Sequence, residues 1–438
     1  MERTRDQPFL PRALTRVLLI VAVAVIGVSV VWGRRLQTRA PEINLGAAPL
    51  VGSWHWRPSW LLLPSAVIGA LVVAVGPSVM RRCQFWVGVA LTAGTAVSFS
   101  LLLAAADGAH AILAPVVDTT EYFDNLDVLP PARDLLTWFS TRDFLVNYSV
   151  HLKGHPPGFI LLIKGLAAIG LGHPWATGAL SFVGVALMCI GVLVTVRTVA
   201  SETHARSIAP FLAIAPFAVW LGTSADAFYT GVFALGVAMV ASGARRNGRT
   251  GIALCVFGGV TLAAALFLTY GAFVLLPLPG LLMLVGTRTS WSTRARRCGA
   301  ATIGGAIVFL SFRHFGFWWF AGLRTTRGLY WEGTAKFRPW TYFLIGNVGA
   351  LLIALGPATS VAIVRLRDRT LWLLVGPTLA CVALANVSQY SKGEVERIWL
   401  LFMPWLTIAT ATLRNPRRWL ALQVATGLLL QAWLVSKW

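Results

Sequence analysis

Along most of the chain the apolar positions neither alternate nor recur every third or fourth residue; they fall in unbroken runs. Segments 14–32, 60–79, 85–106, 174–196 and 341–363 each have the length and apolarity of a bilayer-crossing helix, which needs about 20 residues at a rise of about 1.5 Å each. The roughly ten-residue alternation of a membrane β-barrel strand is absent. The pattern predicts an all-α fold, a polytopic transmembrane helical bundle that makes one domain of residues 1–438. Two stretches break it. Residues 107–150 are long and polar, and residues 313–340 mix aromatics with cations. The first is read, extended to 107–172, as an outer loop carrying interfacial helices, and the second as another outer loop.

Composition agrees with this class: 57% of residues are hydrophobic and 12% are charged. The net charge of +21 changes the picture only slightly. Its arginines lie in short clusters between apolar runs, the pattern that orients membrane helices. That distribution argues against a nucleic-acid face and leaves anionic membrane lipids as partners. The five cysteines, Cys83, Cys189, Cys255, Cys298 and Cys381, show no CxxC spacing and sit in or beside apolar runs, so they read as core residues. The opening MERTRDQPFLPRALTR has no small-residue cleavage site before its apolar run, which predicts an uncleaved first helix with a cytoplasmic basic end. The abundance of Ala, Gly, Val and Arg suggests a high-GC bacterium building its cell envelope.

Arginine also sets the parity of the loops. With 157–171 counted as non-spanning, the inner loops hold Arg197 and Arg206; Arg245, Arg246 and Arg249; Arg288, Arg294, Arg296 and Arg297; Arg365, Arg367 and Arg369; and Arg414, Arg417 and Arg418. The outer loops around Ser224 and Tyr270 then carry no cation. The opposite parity violates the positive-inside rule repeatedly. The expectation is a multi-pass cell-membrane protein of about 13 spans with a cytoplasmic N-terminus. Segment 157–171, short and carrying Lys164, lies in the outer interface. Arg34, Arg35, Arg39 and Arg57 fall on the outer side as exceptions and are assigned to lipid headgroups.

This parity puts three polar segments in one compartment. VVDTTEYFDNLD places Asp118 and Glu121 directly after an apolar run; if helical, they share a face at i, i+3. A carboxylate beside an apolar surface is suited to general-base work. Asp124, Asp127, Asp134 and Asp143 read as solvated loop acids. PPARDLLTWFSTRDF, residues 130–144, reads as one amphipathic helix lying on the membrane. In HLKGHPPG, Pro156 and Pro157 favour extended backbone before them, while Gly154 and Gly158 permit close approach of a ligand. His151, Lys153 and His155 suit a phosphate oxygen, and a helix starting after Pro157 would aim free N–H groups at it.

In the 313–340 stretch the tryptophans form an interface belt or stack on carbohydrate, beside the cations Arg324 and Arg327. In SKGEVERIW, Lys392, Glu394, Glu396 and Arg397 sit at a span end, where mutual pairing or a ligand is expected. Asp226, in TSADAFYTG, is similar, with a helix N-cap formed by Ser224 or Asp226 as the simpler account.

Acids in the large outer loop, His155-Pro156-Pro157-Gly158 beside an interfacial helix and a many-span architecture together resemble the GT-C superfamily of integral-membrane glycosyltransferases. That superfamily includes the protein O-mannosyltransferases and the aminoarabinose transferases that act on lipid A. The resemblance covers mainly residues 107–200. It implies a polyprenyl-phosphate sugar donor used on the outer face, a lipid, glycan or protein acceptor, and an acid of the outer loop as base. Carried over, that acid is Asp118 or Glu121. The family usually places adjacent acids after the first span, whereas here they follow the third, so the choice stays open. His151, Lys153, His155, Lys392, Glu394 and Arg397, with Arg324 and Arg327 behind them, are the candidates for the donor phosphate and its surroundings. A divalent metal is used by some members, and no residue here assigns one. No nucleotide-binding glycine loop is evident. The alternative class is a transporter or flippase of lipid-linked saccharides, which predicts midplane charges and repeated halves; a non-catalytic membrane scaffold would not need the acid and cation clusters to converge.

Overall fold

The computed structural model describes residues 12–222, 224–285 and 289–436. The N-terminal basic stretch ahead of Arg12, and Arg288, lie outside the described residues.

The chain runs back and forth between two ends. Helix α1 (Arg12–Arg39) is followed by α2 (Leu63–Arg82) and α3 (Phe85–Ala104). Four short helices then gather at one end: α4 (Ala132–Trp138), α5 (Arg142–Leu145), α6 (Val150–Gly154) and α7 (Gly158–Ala168). Next come α8 (Pro174–Val199), α9 (Glu202–Ala213), α10 (Ala225–Gly243), α11 (Gly248–Leu268), α12 (Ala272–Leu275), α13 (Pro277–Leu284) and α14 (Trp291–His314). The last are α15 (Trp319–Glu332), α16 (Trp340–Arg365), α17 (Arg369–Val387), α18 (Val395–Ile398), α19 (Met403–Thr407) and α20 (Pro416–Trp433).

Hydrogen bonds define the ends. At the basic end Arg206 donates to the carbonyls of Met80 and Cys83 at 2.5 and 2.6 Å, Arg297 donates to those of Ala244 and Arg246 at 2.6 and 2.5 Å, and Arg365 reaches Thr15 at 3.2 Å. At the polar end Ser181 bonds the Ser224 carbonyl at 3.0 Å, Trp319 the Leu266 carbonyl at 2.9 Å, and Arg338 the Ile43 carbonyl at 2.9 Å. Arg57, an exception to the charge rule, pairs with Asp107 there at 3.0 Å, while Arg34, Arg35 and Arg39 are exposed.

Among the described residues, 8 helices are long and apolar enough to cross a membrane, or up to 9 if the pair α14–α15, bent by 72°, counts as one. These include every long run singled out from the sequence, and they make the protein an all-α, multi-pass membrane protein. The other expected crossings are shorter or broken pieces: α9 with a 3₁₀ turn Pro216–Trp220, α12 with α13, and α18 and α19 with the 3₁₀ turns around them. Helix α20 is 18 residues long and begins with two arginines.

Close helix contacts need small residues, because packing rather than hydrophobic transfer joins helices in lipid. Helices α8 and α10 run parallel, and a side-chain carbon on Gly184 would strike the backbone of Ala227 and Phe228. Helix α16 breaks at Gly356, whose φ of 69° precedes Pro357. Gln423 of α20 repairs the break: its Nε2 donates to the Leu355 carbonyl at 2.9 Å and its Oε1 accepts from Ala358 N at 3.2 Å. Backbone freed inside a membrane must be satisfied within the protein in this way.

At the polar end three expectations change. Residues 130–144 form two short helices, α4 and α5, instead of one; Leu135, Leu136, Phe139 and Leu145 are buried, and Trp138 is exposed. Residues 313–340 are mostly helix, since α15 lies across the end of α14. Its face from Trp319 through Gly322 is buried, so Trp319 is a core residue. The 11-residue α7 starts against the Phe267 carbonyl. Helix α8 sets out from the same end, so 158–168 does not cross. Gly158 therefore admits the chain itself. An aromatic cluster of Tyr122, Phe159, Tyr229, Phe267, Phe317 and Trp319 holds these pieces together, apart from the main core. The five cysteines are free, and Cys189, Cys255 and Cys381 are buried.

Candidate active site

The segment after α3 contains too little continuous apolar surface for a helix and folds as turns, with Glu121 N bonded to the Asp118 carbonyl at 2.9 Å. The two acids consequently do not share a helix face. Asp118 Oδ1 accepts from Thr120 N at 2.8 Å and from Thr120 Oγ1 at 2.5 Å, the local turn that Asp favours. Glu121 points inward, its side chain 12% exposed, and its Oε1 lies 2.6 Å from His151 Nδ1. Asn125 frames the pair: its amide donates to the Glu121 carbonyl at 2.9 Å, and its Oδ1 accepts from Ser149 N at 3.1 Å. Ser149 in turn caps α6, on which His151 sits.

Two atoms at 2.6 Å that both carry lone pairs must have a proton between them. Burial pushes the Glu121 carboxyl up to about 7, against the pull of Arg397. Burial also pushes His151 down to about 3. Both shifts disfavour charge, so the contact is a neutral pair that shares one proton.

His155 has the extended backbone that the following proline demands, φ −129° and ψ 161°. Its Nδ1 lies 3.0 Å from the His151 carbonyl. A carbonyl only accepts, so this nitrogen carries the hydrogen and Nε2 keeps its lone pair, 3.9 Å from Asp226 Oδ1. Burial pushes this imidazole down to about 4, which keeps it neutral. His155 is thus arranged to accept a proton. Tyr122 and Tyr229, bonded through their hydroxyls at 2.9 Å, pack against it.

Beyond His155 runs a buried chain of alternating charge. Asp226 Oδ2 accepts from Arg397 at 3.0 Å and from Ser224 Oγ at 3.0 Å. Arg397 also approaches Glu394 at 3.6 Å, and Glu394 approaches Arg338 at 3.2 Å. Burial would raise the Glu394 carboxyl, but Arg338 and Arg397 outweigh it and hold the group below its usual range. Alternation is what makes several buried charges tolerable. Glu396 stands beside this chain, fully buried, accepting from Val51 N at 2.8 Å.

No family model matches the chain, and no curated protein does.

The fold therefore brings Glu121, His151, His155, Glu394 and Arg397 into one neighbourhood, linked in part through Asp226. The remaining candidates lie elsewhere. Lys392 is buried, donates to the Arg338 carbonyl at 2.9 Å and stands 4.4 Å over the Trp331 ring. Lys153 is half-buried on α6, where its carbonyl accepts from Thr326. Arg324 and Arg327 are exposed on α15, the latter 5.6 Å from the Tyr390 ring. Asp226, Arg338, Asn125 and the tyrosine pair were not singled out as site residues from the sequence. Asp226 gave a signal, an acid at the outer end of a span, but Ser224 does cap α10 and the simpler account was also correct.

A small cavity of about 20 Å³, room for about one water, opens on Glu121 and is lined by Tyr122, Phe159, Thr177, Ser181 and Ala225. It offers apolar walls, two hydroxyls and one carboxyl. The cluster does not fit a divalent metal. Asp226 and Glu394 are already neutralised by arginines that would repel a cation, and among the described residues no three His, Cys, Asp or Glu side chains converge as ligands.

Proposed function

We propose that this chain is a glycosyltransferase that moves a sugar from a polyprenyl-phosphate donor to a lipid, glycan or protein acceptor, a GT-C-like activity. The observation that carries this reading is Glu121: a carboxyl at the membrane end, against an apolar cavity, whose proton affinity burial has raised to about 7. A base of that strength takes and returns protons near neutral pH. His151 orients it.

In the proposed reaction the ionised Glu121 takes the proton of an acceptor hydroxyl. That oxygen forms a bond to the sugar C1 as the bond from C1 to the phosphate oxygen breaks. The electron pair leaves on the phosphate, giving a lipid monophosphate. Charge grows on the leaving phosphate, so a fixed guanidinium stabilises the transition state more than the ground state. Arg397 is the cation of the cluster whose charge bears on Glu121. Lys153, Arg324 and Arg327, less buried, are placed to meet the donor as it arrives.

We read the basic end as cytoplasmic, which sets the N-terminus inside, the site on the outer face and the number of passes at about 13. The excess of arginines over acids at that end supports this, because Glu202 and Asp368 are the only carboxylates there among the described residues. Charged groups collect at the two ends, which favours an interfacial enzyme over a transporter.

The test supplies the purified full-length protein with a labelled polyprenyl-phosphate sugar and an envelope lipid extract. Release of lipid monophosphate together with label on an acceptor is expected. Movement of intact donor across a liposome membrane, with no bond broken, would favour the transporter.

A further inference from the structure

We propose that the basic end binds one anionic phospholipid through its headgroup phosphate, in a cleft between the last turn of α2 and the first turn of α20. This inference is independent of the proposed reaction at the opposite end. The cleft has a volume of about 380 Å³, and Arg81, Arg417 and Arg418 line it together with Ser78 and Pro416. All three arginines are exposed. Arg81 is steered by a 3.2 Å bond to Ser78 Oγ, one turn back on the same helix.

Several other arginines at this end have partners within the protein. Arg206 and Arg197 share Glu202 at 2.7 and 3.0 Å, and Arg297 is held by main-chain carbonyls. Asp368 caps α17 by accepting from Thr370 N and Leu371 N at 2.8 and 3.0 Å, and it faces His204. Both carboxylates described at this end are thus committed, and none lines the cleft. Charge placement sharpens the need. Arg417 and Arg418 occupy the first turn of α20, which contains no acid and has no side-chain cap, and cations there oppose the helix dipole. Three cations converging without a carboxylate among the described residues call for an anion from outside.

Position favours a lipid as its source. The cleft lies where two apolar helices end, at headgroup level, and the neighbouring turns expose Val75 on α2 and Leu422 on α20 to acyl chains. A phosphate held by several arginines gains charge-assisted hydrogen bonds as well as surface attraction.

The experiment follows thermal unfolding of the detergent-purified full-length protein while phosphatidylglycerol, phosphatidylcholine or inorganic phosphate is added. Phosphatidylglycerol should stabilise at a concentration about tenfold below that needed of phosphatidylcholine. The triple variant Arg81→Gln, Arg417→Gln, Arg418→Gln should lose that preference, and Arg249→Gln, an exposed arginine at the same end, should keep it. An unchanged preference in the triple variant, or an equal loss in Arg249→Gln, overturns the site in favour of diffuse surface charge. Inorganic phosphate acting as well as the lipid overturns the lipid assignment. Native mass spectrometry of the wild-type protein gives an answer even if the triple variant fails to fold. Preferential retention of phosphatidylglycerol is expected, and equal retention of the two lipids overturns the proposal.

Discussion

The two ends of the molecule hold the same residue type in opposite ways. At the polar end Arg397 and Arg338 are buried and spent on Asp226 and Glu394. At the basic end the buried Arg297 is spent on carbonyl oxygens of the loop between α10 and α11. An arginine on a carbonyl fastens backbone and keeps its full charge. An arginine between carboxylates is neutralised, and its position tunes neighbouring groups. On the proposed reading the polar end carries the chemistry, and the basic end orientation and lipid contact.

The difference can be broken by mutation. Arg397→Ala should cost about 3–5 kcal/mol, because it strands Asp226 as a buried charge and leaves Glu394 with Arg338 alone. Unfolding in detergent measures this, and adding Asp226→Asn should recover part of the loss. Arg297→Ala should cost less, about 1–3 kcal/mol, since it leaves only neutral carbonyls unpaired. If the two single variants lose equal stability, the distinction between the ends fails.

Acidity sharpens the same contrast. Glu121 moves from an ordinary value of 4.5 to about 7 on folding. Its contribution to stability is therefore full below pH 4.5 and is lost as pH rises through 7. His151 falls from 6.5 to about 3, so its contribution is present above pH 6.5 and is lost as pH falls towards 3. Catalysis needs ionised Glu121, so turnover should climb about tenfold per pH unit up to a limb near 7. A limb at the ordinary carboxylate value would point to an exposed acid instead. The smallest effect is expected at the exposed pair of Arg142 and Glu332, 2.8 Å apart; Arg142→Ala should leave both unfolding and turnover unchanged.

The long helices were legible because an unbroken apolar run is committed to lipid whatever its neighbours do. The short α7 was legible for the converse reason: 11 residues cannot cross, and the arginines on either side agreed. Helix α15 was hidden because Arg324, Arg327 and Gly328 interrupt its apolar face, so a helix at a membrane surface looked like a polar loop. Asp118 and Glu121 were indistinguishable because their separation depends on contacts distant in sequence. Thr120 claims one, and His151 and Asn125 turn the other inward. Asp226 was obscured by its neighbour Ser224, since a capped helix start looks the same with or without a buried arginine behind it.

The most direct test compares sugar transfer from a polyprenyl-phosphate donor by Glu121→Gln and Asp118→Asn in the full-length protein. Glu121→Gln should lose roughly 10² to 10⁴ in rate, and Asp118→Asn, which disturbs the turn at Thr120, should keep most of it. Wild-type-like transfer by Glu121→Gln would contradict the account.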